Sequence, residues 1–277
     1  MATIDFLNKV NLGNCMIEMH NIDDASIDCI ICDPPYGVRD LDWDIKLSTT
    51  HLWKHYKRII KENGVIILFA TQPYASELIY KATVDFRYEW IWNKNTGSNY
   101  ALVKKRPFAV HENILIFSKK QAVYYPQMEY GHKPYITKET LRPGKSVIKK
   151  NGSFISTLSN TNRDASDGSR YPKSIINFLR DSKRYHPTQK PLSLLKYLIN
   201  TYTLENEIIL DNCSGSGTTL LAAKELNRKF IGFEAVEEFV EITNRRLNNI
   251  AIDDNKKTVP LLNRIKFFKK RYGNYEL

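Results

Sequence analysis

Asp33-Pro34-Pro35-Tyr36 brings a carboxylate, two rigid residues and an aromatic ring into four consecutive positions. That combination suits chemistry on a planar aromatic amine. The exocyclic nitrogen of a nucleobase is a poor nucleophile, because its lone pair is delocalised into the ring. It gains reactivity as it moves towards tetrahedral geometry, and two acceptors aimed at its N–H bonds favour that geometry. The Asp33 carboxylate can be one acceptor and the Pro34 carbonyl the other, preset because proline fixes φ. Tyr36 offers a face on which the base can stack, and Asp33 can take the surplus proton. A base in a duplex has to leave the helix to reach such a pocket. Alone, the same four residues are compatible with a plain turn that ends a strand.

A second constellation lies late in the chain. Asp211-Asn212-Cys213-Ser214-Gly215-Ser216-Gly217-Thr218 follows the apolar run Glu207–Leu210 and precedes an Ala/Leu-rich helix, Thr219–Asn227. Lys229–Phe233 is the next strand, and Glu234 ends it. Strand, Gly-rich turn, helix, strand and acid form a βαβ unit that suits a nucleoside, with the carboxylate on the ribose hydroxyls. A dinucleotide is disfavoured, because Leu220 stands where its fingerprint wants a third glycine. The electrophile that matches an amine acceptor is the sulfonium methyl of S-adenosylmethionine.

The elements that must position these residues read as alternating strands and helices. Ile27–Cys32 is an apolar strand stopped by Pro34 and Pro35. Leu52–Glu62 has helical spacing and is capped by Asn63-Gly64; Val65–Ala70 is a strand, Tyr74–Ala82 a helix and Tyr88–Trp92 a strand. Glu112–Ser118 is a further strand, Pro191–Tyr202 a helix and Val236–Ile250 another. Alternation of this kind predicts an α/β sheet covered on both faces. Ligands of such sheets bind at the carboxyl ends of the strands, where both constellations fall. Cys29 and Cys32 have a CxxC spacing, but on a strand they point to opposite faces. They read as core residues, and no metal site is expected.

Charge divides the chain. Of 41 basic residues 19 lie between Lys94 and Lys190, with only six of the 30 acidic ones, so the net +11 resides in that segment. A localised basic block predicts a phosphate-binding surface. Lys104, Lys105, Arg106, Lys149 and Lys150, with Lys119-Lys120 and Lys183-Arg184, are candidate phosphate contacts. Arg142, Arg163, Arg170, Asn160 and Asn162 are candidates for reaching base edges. Tyr100 is a candidate to close on an extruded base. No apolar run approaches the roughly 18 residues that a membrane span needs. The first residues lack a signal-peptide pattern, so a cytoplasmic location is expected.

Taken together, these motifs resemble the DNA amino-methyltransferases of the permuted β class, which place the catalytic tetrad first, the target-recognition region next and the cofactor motif last. His186-Pro187-Thr188-Gln189-Lys190-Pro191 looks like the family's motif ahead of the cofactor strand. Trp92-Asn93-Lys94 and His111-Glu112-Asn113-Ile114 resemble the strands that bracket its target region. The resemblance covers nearly the whole chain. It implies a Rossmann-like, seven-stranded mixed sheet of the class I methyltransferase type, with 1–93 and 185–250 as the catalytic domain, 94–184 as the inserted recognition region and 251–277 as a basic extension. It implies S-adenosylmethionine as cofactor, held by Asn14, Asp33, Thr188, Lys190, Asp211, Ser214, Gly215, Gly217, Thr218 and Glu234. Thr188 and Lys190 would lie near its methionine end. It implies adenine N6 in double-stranded DNA as acceptor, since cytosine-N4 relatives usually carry Ser in place of Asp33. Homodimers and a cognate restriction endonuclease are the partners it suggests. The chain departs from the pattern at Asn14, where Asp is common, and at Asn212-Cys213, where Pro-Phe is usual. Cytosine-N4 transfer, an RNA or protein-amide acceptor, and a DNA-binding module that has lost catalysis are the competing readings.

Overall fold

The computed structural model describes residues 3–37, 46–97, 99–133 and 168–252. Its sheet has eight strands: β1 (Lys9–Leu12), β2 (Ile27–Cys32), β3 (Ile60–Ala70), β4 (Asp85–Asn93), β5 (His111–Ser118), β6 (Ile175–Asn177), β7 (Ile208–Asp211) and β8 (Lys229–Glu234). They are ordered β1-β8-β7-β2-β3-β5-β4-β6. All run in one direction except β5, which is antiparallel to both neighbours. The count is one more than the seven expected, since the three-residue β6 adds an edge beside β4. The described residues also form six α-helices: α1 (Cys15–Glu18), α2 (Thr49–Ile59), α3 (Tyr74–Tyr80), α4 (Leu192–Tyr202), α5 (Thr218–Glu225) and α6 (Glu237–Leu247).

The alternation along the strands builds two cores, one on each face. Ile30, Cys32, Leu68, Leu115 and Phe233 pack with Leu52, Trp53, Tyr56 and Leu78 from α2 and α3. Cys29, Ile31, Ile67, Ile116 and Ile209 pack on the other face with Leu194, Leu198, Leu220 and Ala223 from α4 and α5. Cys29 and Cys32 therefore fall in different cores, as the period of two requires.

One boundary differs from the sequence reading. The helix ends at Ile59, and β3 starts at Ile60, so Asn63-Gly64 is strand and not a helix cap. β2 pairs Ile27 with Ile60 and Cys29 with Val65, an irregularity that absorbs the extra residues. Gly64 fits this crowded place: a Cβ there would stand 2.9 Å from the Asp28 carbonyl oxygen.

The chain divides into two compact units, one made of 1–125 and 174–277 and the other of 126–173. The smaller unit is narrower than the 94–184 segment, because β5 and β6 belong to the sheet. In its described part, Glu129 and Arg170 exchange backbone hydrogen bonds of 2.8 Å.

What matters for function is the middle of the sheet. From β2 the chain moves outward to β3; from β7 it moves outward the other way, to β8. β2 and β7 are paired directly, Cys29 with Ile209 and Ile30 with Leu210. The loops that leave their carboxyl ends diverge and open a crevice at this switch point. Asp33 leaves β2 there and Asn212 leaves β7 there.

Candidate active site

Asp33 stands one residue beyond β2, and each carboxylate oxygen is engaged. Tyr36 Oη donates to Oδ1 at 2.6 Å, and Lys190 Nζ donates to Oδ2. Burial pushes the Asp33 carboxyl above the usual range, while the ammonium of Lys190 pulls it back down. The Tyr36 ring lies 5.1 Å from that of Tyr74, at the start of α3. Lys190 also stands 3.3 Å from Glu112 Oε2 and 5.0 Å over the Phe69 ring. Glu112 Oε1 accepts from Lys94 Nζ at 3.1 Å. Two acids and two ammonium groups thus form a buried chain: Asp33, Lys190, Glu112, Lys94.

The Gly-rich turn is built by its neighbours. Gly215 N donates to Glu234 Oε2 and Val236 N to Glu234 Oε1, both at 2.8 Å, so the acid that ends β8 grips the turn after β7. Each of its oxygens keeps a further lone pair for a ligand hydroxyl. Gly215 and Gly217 have φ of +52° and +75°, where an L side chain is strained. α6 buttresses the turn from behind: Thr243 Oγ1 donates to Gly215 O, and Arg246 donates to Ser216 O and Thr218 Oγ1. On the other side His186 lies 3.6 Å from where a Gly215 Cβ would be, and its Nδ1 accepts from Thr188 N.

Three features of this turn fit a cationic nucleoside. Ser214 Oγ is buried and has no hydrogen-bond partner among the described residues. Asp211 is buried at the end of β7, and burial lifts its pKa to about 7, with no cationic partner beside it among the described residues. At Gly215 the nearest atom to an added Cβ is 3.6 Å away, so the backbone there is open to a ligand.

Residues 27–245 match the N6/N4 DNA methylase family. The chain belongs to that family. Among curated relatives of this N6/N4 methylase, the type II methyltransferase M.HindIII of Haemophilus influenzae is 28% identical, the match covering 88% of this chain and 98% of the relative. The DNA adenine methyltransferase YhdJ of Escherichia coli is 27% identical, with 85% and 81% covered. The fold is shared with the M1.HpyAVI–SAM complex, at a TM-score of 0.57, 23% identity and coverage of 90% and 100%. It is shared too with the cytosine-N4-specific PvuII DNA methyltransferase, at 0.59, 17%, and 92% and 91%. The N6/N4 methylase described here is thus an S-adenosylmethionine-dependent DNA methyltransferase with a class I methyltransferase fold.

The structure brings Asp33, Tyr36, Thr188, Lys190, Asp211, Ser214, Gly215, Gly217, Thr218 and Glu234 to the carboxyl edge of β2, β7 and β8. Lys190 and Asn14, both expected at the cofactor, also make contacts within the protein that the sequence did not indicate. Lys190 contacts Asp33 and Glu112. Asn14 Oδ1 is occupied as the cap of α1, accepting from Met16 N at 2.9 Å. Cys213, where Phe is usual, fills its space against Cys15 and Cys32.

Glu112 and Lys94 were not singled out from the sequence as site residues, although both stand in the strand motifs noted there. A charged residue at the start of an otherwise apolar strand was the available signal. Thr243 and Arg246 gave no such signal, being ordinary residues of an amphipathic helix.

Of the basic candidates, Lys104, Lys105 and Arg106 are exposed on the β4–β5 loop. Its conformation is held by Asn99, which donates to Pro107 O and accepts from Ala109 N. Arg170 lies in the smaller unit and donates to Lys133 O and Ser169 O. Lys119 donates to Ile60 O, and Lys119 and the exposed Lys120 both pair with Glu62. Arg142, Lys149, Lys150, Asn160, Asn162 and Arg163 lie outside the described residues. No helix among the described residues is long and apolar enough to cross a membrane.

Proposed function

We propose that this enzyme methylates the N6 amine of adenine within a defined sequence of duplex DNA, after the base has left the helix. The observation that carries this reading is the position of Asp33, at the end of β2 and directly beside the cofactor turn after β7. When bound, S-adenosylmethionine supplies an electrophilic methyl on its sulfonium. Asp33 and the Pro34 carbonyl accept the two N–H bonds of the target amine and favour its tetrahedral form. Tyr36 stacks on the base, and Asp33 takes the proton released by transfer. Asp211 and Ser214 face the methionine end of the cofactor, and Glu234 its ribose.

The name of the Escherichia coli relative supports adenine, and an acid at Asp33 suits that acceptor. The order of tetrad, basic segment and cofactor turn supports the permuted β arrangement, with 94–184 as the target-recognition region. Lys104, Lys105 and Arg106 contact phosphate, and Arg170 and its smaller unit belong to the recognition surface. The type II relatives support a place in restriction–modification beside a cognate endonuclease; the cytoplasmic location and the homodimer as working form are inferred from the family resemblance alone.

Incubation with labelled S-adenosylmethionine and unmethylated duplex DNA, followed by nucleoside analysis, tests the reading. N6-methyladenine is the expected product. N4-methylcytosine would move the acceptor to cytosine. Asp33→Ala should abolish turnover and leave cofactor affinity largely intact; transfer at the wild-type rate by that variant would remove Asp33 from the chemistry.

A further inference from the structure

The buried chain of four charges does more than hold Asp33 ionised. Lys190 covers Asp33 Oδ2, an oxygen that an arriving amine needs. The same ammonium stands 3.3 Å from Glu112 Oε2, yet that oxygen makes no hydrogen bond. It is a buried acceptor beside a donor engaged elsewhere. A buried carboxylate oxygen without a hydrogen bond is costly, so a better contact there is favourable. The other oxygen of Glu112 is fixed by Lys94, whose side chain is only 3% exposed. Phe69 lines the path with its ring face.

We propose that Lys190 is an ammonium with two seats: it caps Asp33 Oδ2 while no base is bound, and shifts to Glu112 Oε2 as the target amine arrives. Glu112, anchored by Lys94, is then a positioning residue that acts through Lys190 without touching the base. The shift conserves charge, since both seats are carboxylates and the group of four stays neutral. It also leaves the ammonium close to Asp33, which keeps the carboxylate ionised while an oxygen is freed for the amine. The inference rests on the reading of Asp33 as the amine acceptor.

The charged and titratable groups that bear on Asp33 are Lys190 from the loop before α4, Tyr36 from its own turn, Glu112 from β5 with Lys94 behind it, Asp211 from β7, and Tyr74 from α3 by way of Tyr36. Glu112 repels an ionised Asp33, so its neutralisation lowers the Asp33 pKa.

The test uses Glu112→Gln in the full-length protein. With the second seat weakened, kcat for a duplex substrate should fall on the order of 10- to 100-fold. Affinities for DNA and for S-adenosylmethionine should hold, and the acid limb of the kcat/KM profile should move to lower pH. The DNA-free protein offers a readout that needs no activity: the carboxyl resonance of 13C-labelled Asp33 should titrate at lower pH in E112Q than in wild type. Unchanged kcat and an unmoved acid limb would overturn the proposal. So would a lower Tm and kcat with no shift of either titration, the mark of a merely structural role. If wild type methylates no DNA, the functional reading fails; an unmoved Asp33 resonance would then overturn the coupling as well, and a shifted one would support it. Should E112Q fail to fold, Lys94→Met with Glu112→Gln removes the inner pair together, and the loss of kcat is expected there too.

Discussion

Two glycines of the cofactor turn have the same sign of φ but different surroundings, and this separates backbone strain from crowding. At Gly215, φ is +52° and the nearest atoms to an added Cβ belong to His186, at 3.6 Å, an ordinary contact. Gly215→Ala therefore carries the left-handed strain alone, about 1–2 kcal/mol. At Gly217, φ is +75° and the added Cβ would stand 2.3 Å from Thr243 Cγ2 and 2.7 Å from its Oγ1. Thr243 is fully buried on α6 and has no room to give. Overpacking adds about 1–3 kcal/mol to the strain, for a total of about 2–5 kcal/mol. At about 2–4 °C per kcal/mol, Gly217→Ala should lower the Tm by roughly 4–20 °C, and Gly215→Ala by about half of that or less.

The cofactor site should feel the same difference. Pushing Thr243 away disturbs its bond to Gly215 O and the Arg246 contacts to Ser216 and Thr218 on the same helix. S-adenosylmethionine affinity, measured by calorimetry, should fall further in Gly217→Ala than in Gly215→Ala. Thr243→Ala removes both of the closest atoms, so in that background the cost of Gly217→Ala should shrink by about 1 kcal/mol or more, a coupling of the size seen between touching residues. Equal losses at the two glycines, together with zero coupling to Thr243, would refute the idea that α6 sets the shape of the turn.

The remaining expectations concern charge. The Asp211 pKa, raised to about 7 from 3.8, means that its carboxylic acid form is favoured on folding; its contribution to stability is full below the unfolded value and is lost as pH rises from about 4 to 7. Thermal unfolding of the cofactor-free protein should show that decline, S-adenosylmethionine affinity should increase through pH 7, and Asp211→Asn should flatten both profiles. Tyr36→Phe deletes a donor to the Asp33 carboxylate, so the acid limb of kcat/KM should move to higher pH, opposite to the shift expected for Glu112→Gln. Replacing Lys104, Lys105 and Arg106 together by Ala should weaken binding to all DNA sequences alike and reduce the slope of log K against log salt by about 2.7; a slope equal to wild type would remove this loop from the phosphate contacts.

Much of the site was legible in the sequence because its parts are contiguous. Asp33–Tyr36 and Asp211–Thr218 each sit directly behind an apolar strand, so finding the strand locates the turn. Glu234 was visible for the same reason. The boundary at Ile59 was not, because Ile59, Ile60, Asn63 and Gly64 suit a capped helix as well as an irregular strand start; pairing with Ile27 decides between them, and that contact is not local. β1 was missed because four residues with one buried side chain carry too short a pattern. Lys190 could be placed near the site from its motif, but not on Asp33, 157 residues away in sequence.

The reversed strand explains how Glu112 and Lys94 reach an edge that parallel strands supply only from their carboxyl ends. β4 finishes at Asn93 and Lys94 follows it; β5, running back, begins at His111 paired with Asn93. The hairpin connection thus brings the end of one strand and the start of the next to the edge where Asp33 lies, since Ala70 at the end of β3 pairs with Asn113. An all-parallel continuation beyond β3 would have carried the start of that strand to the opposite edge. A lone carboxylate buried at Asp33 would favour its neutral form, and Lys190 alone would hold it ionised but covered. The reversal adds a second buried acid near Lys190 and a second cation to balance that acid. One change of strand direction thereby supplies both the charge balance that keeps Asp33 a base and the alternative seat that can uncover it.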